Sequence, residues 1–477
     1  MRYSISEIYD SWAKKEKNIV NNDITLYGWI EFNKANGDNF FFLVMRDGSS
    51  FKTIHAVFDN KKFRDQDLFQ KLMKINKESS ISVTGRIAQS PGKGKDVELM
   101  AIDAFIFSEA DDNYQISKNK SSLELTRDYQ HIRGKTRTFQ ALGILRNNCY
   151  FETQNFYNKL GFINIACPIL TTNKLIDESF SVSAFNGVTF KKNVHLISTG
   201  QLHLESFANC FEKVYSFGPV MRAEKSDTGR HLAEFWMIEP EMSFVDLSDL
   251  MNNMELYLKY ICNKILEKNK DVLEYFDSLN EDGLLARIEK ISKIGDPFVR
   301  KRYDECLKFL EKEVECKNVV LDNTCETKRI SNGILILNKI PKFGDELVID
   351  VLKYLADEFG GKPFFITHYP KNLRHFSVKE SEDDKITGET IDLIFPGIGE
   401  LMSGAMREDN FNKLKNRIVE KGNLLDEWQW YLDLRKNGSV PHGGYSIGFE
   451  RLLMALTGIK NIKDVVNFFR VNGYCFA

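Results

Sequence analysis

Nowhere in the chain do about 18 apolar residues run together, so no segment is long enough to cross a bilayer as a helix. The opening stretch, MRYSISEIYDSWAKKEK, has no apolar signal core either, and the expectation is a cytoplasmic protein with no membrane partner. The eight cysteines include no CxxC pair. Cys306, Cys316 and Cys325 recur nine or ten residues apart without a nearby histidine, so scattered thiols in a reducing compartment fit better than a zinc site. An excess of one charge is missing as well: 65 Lys and Arg stand against 67 Asp and Glu, a formal net charge of −2. Nothing therefore draws the whole chain to nucleic acid, and any RNA contact must rest on local patches. No internal repeat or low-complexity tract is evident. What is left is a 477-residue chain of ordinary globular composition, long enough for two domains plus an insertion.

From Ile24 to Phe107 the pattern is strand after strand (ITLYGWI, NFFFLVM, FKTIHAVF, ISVTGRI, DVELMAIDAFIF), broken by the turn pairs Asn36-Gly37, Asp47-Gly48 and Pro91-Gly92. Five strands fit an OB-type β-barrel, a fold that stacks single-stranded bases on aromatic rings and reads their edges. Phe40, Phe41 and Phe42 are candidate rings, and period-two alternation turns at least one away from the others; core packing is the competing role for each. Residues 1–109 read as the barrel domain, residues 110–133 as a polar linker, and residues 134–477 as a second domain. In the latter, Gln140 to Leu160 has helical spacing closed by Gly161, and FINIACPIL follows as an extended run. Residues 251–321 read as a mostly helical, charged insertion without chemistry of its own.

Two segments carry chemistry. Phe217 to Glu241, FGPVMRAEKSDTGRHLAEFWMIEPE, places apolar positions on either side of a polar loop, the pattern of two antiparallel strands joined by a charged hairpin. Arg222 would neutralise an α-phosphate with a planar fork of donors, Glu224 could accept from an adenine amino group, and Phe235 offers a face for the ring. The simpler reading of such a loop alone is a solvated hairpin. Gly443 to Gly458, GGYSIGFERLLMALTG, has glycines suited to a strand passing close to a ligand, then Glu450 and Arg451 opening an apolar helix that stops at Gly458.

Together these segments resemble motifs two and three of the class II aminoacyl-tRNA synthetases. RHLAEFWMIEPE (Arg230 to Glu241), PGIGE (Pro396 to Glu400) and VPHGGYSIGFERL (Val440 to Leu452) narrow the resemblance to the bacterial asparaginyl-tRNA synthetases, whose order nearly the whole chain follows. The resemblance implies an α+β fold: a class II catalytic domain with an antiparallel sheet flanked by helices, behind an N-terminal five-stranded OB-type barrel that binds the anticodon. It also implies a homodimer, and ATP-dependent activation of L-asparagine to the adenylate, with Mg²⁺, followed by transfer to tRNA(Asn).

By the same resemblance Arg222 holds the α-phosphate and Arg451 the γ-phosphate, and with Glu224 these form the catalytic set; Arg230, His231 and Phe235 complete the ATP site. Asp392 and Glu400 match the metal carboxylates. Gln201 matches the residue that holds the amino and carboxylate end of the substrate, while Glu239 would accept from the side-chain amide and Arg407 would donate to it. Leu204 stands where aspartyl relatives carry a lysine. In the barrel, Phe40, Phe42, His55 and Glu98 align with the anticodon site, with His55 in the place of a glutamine. The chain departs from the pattern in the closing loop from Thr171 to Val182, where Asp177 or Glu178 would replace the family's glutamate, and at SGAMRE, where Ala405 or Met406 would reshape the pocket floor. Two competing readings are a paralogue that adenylates another amino acid or carboxylate without charging tRNA, and a non-catalytic RNA-binding homologue. The second predicts erosion of Arg222, Arg451, Asp392 or Glu400, and all four are present.

Overall fold

The structure, a computed structural model, describes residues 1–16, 19, 22–35, 39–91, 97–111, 116, 122–174, 179–182, 193–225, 228–280, 283–329 and 333–476. Asn36-Gly37, Gly92, Asp177, Glu178 and most of residues 110–121 lie outside them. The chain divides into two compact units, Met1–Ile144 and Leu145–Ala477.

In the first unit the five expected strands, Ile24–Ala35, Phe40–Arg46, Ile54–Asp59, Ser80–Gln89 and Val97–Ser108, close into a barrel. Pairing is antiparallel except between Ile54–Asp59 and Val97–Ser108, which run parallel with His55 opposite Glu98. Alternation along Phe40–Arg46 settles the three phenylalanines: Phe41 is buried, stacked on Phe58 at 4.6 Å and edge-on to Phe69, while Phe40 and Phe42 face outward. A helix, Ile5–Ala13, opens the unit behind a capping box in which Ser4 and Glu7 satisfy each other's backbone amides.

The second unit is built on an eight-stranded sheet. Its order is Val299–Arg302, Phe364–Thr367, Thr390–Phe395, Gly399–Met406, His442–Gly448, Glu234–Ser243, Lys213–Met221, Ile163–Asn164. The six central strands are antiparallel, and each edge strand joins in parallel. Helices Gln201–Phe211, Leu247–Lys268, Ile349–Glu358 and Phe449–Thr457 pack on the sheet. The last of these ends where expected, because Gly458 takes a left-handed φ of 71° that a side chain would resist.

One expectation needs amending. The insertion is mostly helical (Lys270–Leu279, Leu284–Ile291, Tyr303–Glu315), but between its helices Val299–Arg302 adds an edge strand to the main sheet. Four residues with three basic side chains give no period-two signal, and charges on a sheet edge are a common guard against further pairing. Among the described residues no helix is long and apolar enough to cross a membrane.

Candidate active site

The hairpin forms as the apolar flanks require. Lys213–Met221 and Glu234–Ser243 pair from Glu234 opposite Met221 to Met242 opposite Lys213, and at the end of the loop between them the amide of Ala233 donates to the carbonyl of Arg470. Arg222 follows the first strand, Phe235 is the second residue of the next, and the guanidinium stands 5.3 Å from the ring centroid. On the neighbouring strands, Glu400 comes from Gly399–Met406, and Arg451 from the first turn of the helix after His442–Gly448. These elements enclose a cavity of about 250 Å³ whose walls include Arg222, Glu224, Arg230, His231, Phe235, Glu400 and Arg451. The segments that the sequence singled out, some 200 residues apart along the chain, thus meet at one place.

Three guanidiniums, those of Arg222, Arg230 and Arg451, line this cavity together with the carboxyls of Glu224, Glu400 and Glu450. Among the described residues the Arg222 side chain donates only to the Ser198 carbonyl, at 3.4 and 3.5 Å, and to the Met237 sulfur; burial pulls its proton affinity down, with Glu224 and Glu239 opposing. Arg230 is pushed down to about 10, first by burial and then by Arg451. Arg451 lies 3.3 Å from Glu400, and His231 lies 3.4 Å from Glu224. His231 is held below its ordinary value by burial. Cations that depress one another in a concave, partly dry site are the mark of a place built for an anion.

The two expected metal carboxylates differ. Burial, then the charge of Asp392, pushes the Glu400 carboxyl up, and among the described residues its only side-chain partner is Arg451. A divalent cation beside Glu400 would relieve that crowding. Asp392, which Arg374 and Ser403 engage through one oxygen each at 2.5 and 2.7 Å, is already answered by a guanidinium.

The expected amino-acid residues sit among buried charges. Glu239 accepts from the Thr199 hydroxyl, from the Gly200 amide at 2.9 Å and from Ser216 at 3.3 Å; burial raises its proton affinity and these bonds oppose. Gln201 opens the helix that follows Gly200. Arg407 is committed to a partner that the sequence reading missed: its Nε and Nη2 both donate to Glu241 at 3.0 Å, and Nη1 has no hydrogen bond among the described residues. Glu241 approaches so closely that a Cβ at Gly444 would lie 2.0 Å from its Oε2, so that glycine makes room for a carboxylate of the protein itself. Met406 fills the space over Gly443 in the same way.

Glu205, buried behind Arg407, accepts from Arg435 at 2.7 Å, from the Tyr431 hydroxyl at 2.8 Å, and lies 3.1 Å from His442 Nε2. Burial alone would raise its carboxyl, but Arg435, His442 and Arg407 together hold it below the carboxylate range. Glu205, Glu241 and His442 are the one trio among the described residues with the spacing to chelate a metal. Two guanidiniums already balance the two carboxylates, so the trio is an ionic scaffold. The signal for Glu241 was available, since residues two apart on a strand share a face and EPE puts Glu239 and Glu241 on the same side.

On the barrel, Phe42 stacks on His55 with centroids 5.1 Å apart, and His55 pairs in register with Glu98, which accepts from Ser90 at 2.8 Å. Phe40 is 37% exposed on the same strand. The four expected residues therefore share one outward surface.

Comparison with known proteins agrees in both units. Residues 122–472 match the family described as tRNA synthetases class II (D, K and N), and residues 24–106 match the OB-fold nucleic acid binding domain. The asparagine–tRNA ligase of Treponema denticola is 35% identical over 93% of this chain and 94% of its own. That of Ureaplasma urealyticum is 34% identical over 99% of both. Among solved structures, the asparaginyl-tRNA synthetase of Pyrococcus horikoshii complexed with asparaginyl-adenylate is similar over 100% of both chains, with a TM-score of 0.85 at 28% identity.

Proposed function

Because the chain belongs to the class II tRNA synthetases (D, K and N), we propose that it is an asparagine–tRNA ligase, which activates L-asparagine with ATP and transfers it to tRNA(Asn). The observation that carries this reading is the cavity that gathers Arg222, Arg230 and Arg451 with Glu224, His231 and Phe235, together with a buried Arg407 whose charge Glu241 already balances. Activation needs the asparagine carboxylate to attack the α-phosphorus while pyrophosphate leaves. Positioning and fixed positive charge suffice for this, without a general base.

In this reading Arg222 holds the α-phosphate, Arg451 the γ-phosphate, and Arg230 and His231 the β- and γ-oxygens. Phe235 takes the face of adenine and Glu224 its amino group. Mg²⁺ beside Glu400, with Asp392 behind, would neutralise phosphate charge. Gln201 orients the amino and carboxylate end of asparagine. Arg407 offers Nη1 to the amide oxygen, and Glu239 accepts from the amide NH₂. Aspartate would meet Glu239 as a like charge in a partly dry pocket, a penalty of about several kcal/mol. The cation that could offset it is already spent on Glu241.

On the barrel, the central uridine of the anticodon stacks on Phe42 or Phe40, with Glu98 and His55 at its edge. In this reading residues 1–109 are the anticodon domain, 110–133 the linker and 134–477 the catalytic domain, paired in a homodimer through the helix and strand at 140–168. The test is pyrophosphate exchange with each of the twenty amino acids, then charging of tRNA(Asn) transcripts with the native or a substituted central anticodon base. Exchange with asparagine alone, and charging that falls about 5- to 150-fold on the base change, is expected for the loss of 1 to 3 kcal/mol of stacking and edge contacts. Brisk adenylate formation with neither transcript charged would favour the paralogue instead.

A further inference from the structure

A second cavity, of about 310 Å³, shares Arg230 with the nucleotide cavity. Its walls are the turn Phe395–Ile398, the end of the helix Phe449–Thr457 with Gly458–Lys460, the helix Ile349–Glu358 through Lys353, and the insertion helix Leu284–Ile291 through Arg287. Four cations line it, Arg230, Arg287, Lys353 and Lys460, and among the described residues no carboxylate does. Other basic groups of this unit are answered by acids, as Arg329 is by Asp357, Arg302 by Asp384 and Lys362 by Asp296. Here the side chains of Arg230, Lys353 and Lys460 make no ion pair or hydrogen bond among the described residues.

The cations also act on one another. Burial lowers the proton affinity of Lys353; Asp350 opposes, and Arg230, Arg329 and Lys460 add to the lowering. Arg230 lines both cavities and passes beside Gly399, where a Cβ would meet Ile349 Cδ1 at 2.2 Å and lie in ordinary contact with Nη1 and Nη2 at 3.4 and 3.6 Å. Unanswered positive charge in a concave site, with one guanidinium facing both chambers, calls for a compact polyanion that moves between them.

We propose that this second cavity is a pyrophosphate site, which receives the leaving group of adenylate formation through Arg230. It rests on the ligase reading above. In that step a carboxylate oxygen of asparagine bonds to the α-phosphorus, the bond from that phosphorus to the bridging oxygen breaks, and its electron pair departs with pyrophosphate. Arg230 lines both cavities, so the departing anion exchanges one set of cations for the next at a guanidinium common to both. The insertion thereby gains a role, since Arg287 forms part of the receiving wall.

The experiment has two arms, each run on the full chain. In the first, pyrophosphate is titrated calorimetrically into protein whose nucleotide cavity is filled by a non-hydrolysable sulfamoyl analogue of asparaginyl-adenylate. Wild type should bind one equivalent, and Lys353→Gln/Lys460→Gln should bind about tenfold more weakly or not at all. In the second, the KM for pyrophosphate in asparagine-dependent exchange should rise about tenfold in the double variant, with the KM for ATP and for asparagine unchanged. Lys460→Gln alone, at an exposed position, should give a smaller rise in the same direction and guards against misfolding of the double variant. Equal pyrophosphate binding by wild type and variants, or binding of ATP but not pyrophosphate to the analogue-filled protein, would overturn the proposal. A wild type that exchanges with no amino acid would sink the ligase reading instead, while titration into ligand-free protein would still decide the cavity.

Discussion

The nucleotide cavity and the charge cluster around Arg407 use the same side chains to opposite ends. Among the described residues of the cavity, the Arg222 side chain has only a carbonyl at 3.4 Å and a sulfur to donate to, and the Arg230 side chain has no hydrogen-bond or ion-pair partner. In the cluster, Arg407 and Arg435 are matched one for one by Glu241 and Glu205. An unanswered guanidinium keeps its donors for a ligand but contributes little to folding. An answered one fixes geometry, and its partner's opposite charge offsets most of its field. The first arrangement suits phosphate, which brings its own negative charge. The second suits a neutral amide, which must be oriented without being selected by charge.

The comparison breaks most visibly if a balanced cation is removed. Arg435→Met leaves Glu205 buried without its 2.7 Å partner and frees the Glu408 carbonyl and the Tyr431 hydroxyl. Breaking a buried pair from one side costs about 3 to 5 kcal/mol, read as a lower midpoint in urea with an unchanged slope. A midpoint equal to that of wild type would show that the cluster is not an ionic scaffold.

Removing an unbalanced cation should do the reverse, harming chemistry and sparing the fold. Arg222→Ala should slow asparagine-dependent pyrophosphate exchange by roughly 30- to 1000-fold, the loss of about 2 to 4 kcal/mol of transition-state stabilisation. Its urea midpoint should stay at the wild-type value or rise, because burial disfavours this charge in the ligand-free protein. Near-normal exchange would remove Arg222 from the phosphate site.

How far this contrast could be read in advance depends on the separation along the chain. The barrel was legible because period-two alternation and turn pairs are local, and Phe41 against Phe40 and Phe42 followed from the pleat. The hairpin carrying Arg222 and Phe235, and the strand-to-helix step carrying Arg451, were legible for the same reason, because each is a single contiguous signal. The bonds from Arg407 to Glu241 and from Arg435 to Glu205 join residues 166 and 230 positions apart, and no spacing rule spans that distance. The glycines at 443 and 444 were read as room for a ligand. They make room for Met406 and for the carboxylate of Glu241, a distinction only the folded neighbours reveal. The second cavity was equally hidden, since Arg230, Arg287, Lys353 and Lys460 come from four separate elements.

The smallest effect concerns a neutral group beside the balanced cluster. His375 is pushed down to about 4, first by burial and then by Arg407, with Glu205 opposing. Its Nδ1 accepts from the Ser377 amide at 3.3 Å, a bond that only the neutral ring can accept. The unfolded chain binds a proton here near pH 6.5, whereas the folded chain waits until about 4. Between those values the unfolded state holds more protons, so stability falls as pH drops through this window and is unaffected by this group above it. Replacing the ring with an uncharged amide, His375→Asn, should remove that slope: between pH 6.5 and 4.5 wild type should lose on the order of 1 to 2 kcal/mol more than the variant. Carboxylates titrating in the same range act on both proteins and cancel in the difference. Urea midpoints at the two pH values, measured on both proteins, read the effect directly. Parallel pH profiles would mean that His375 takes up its proton in the folded state as readily as in water, and that the charges around Arg407 tolerate one more cation than their balance allows.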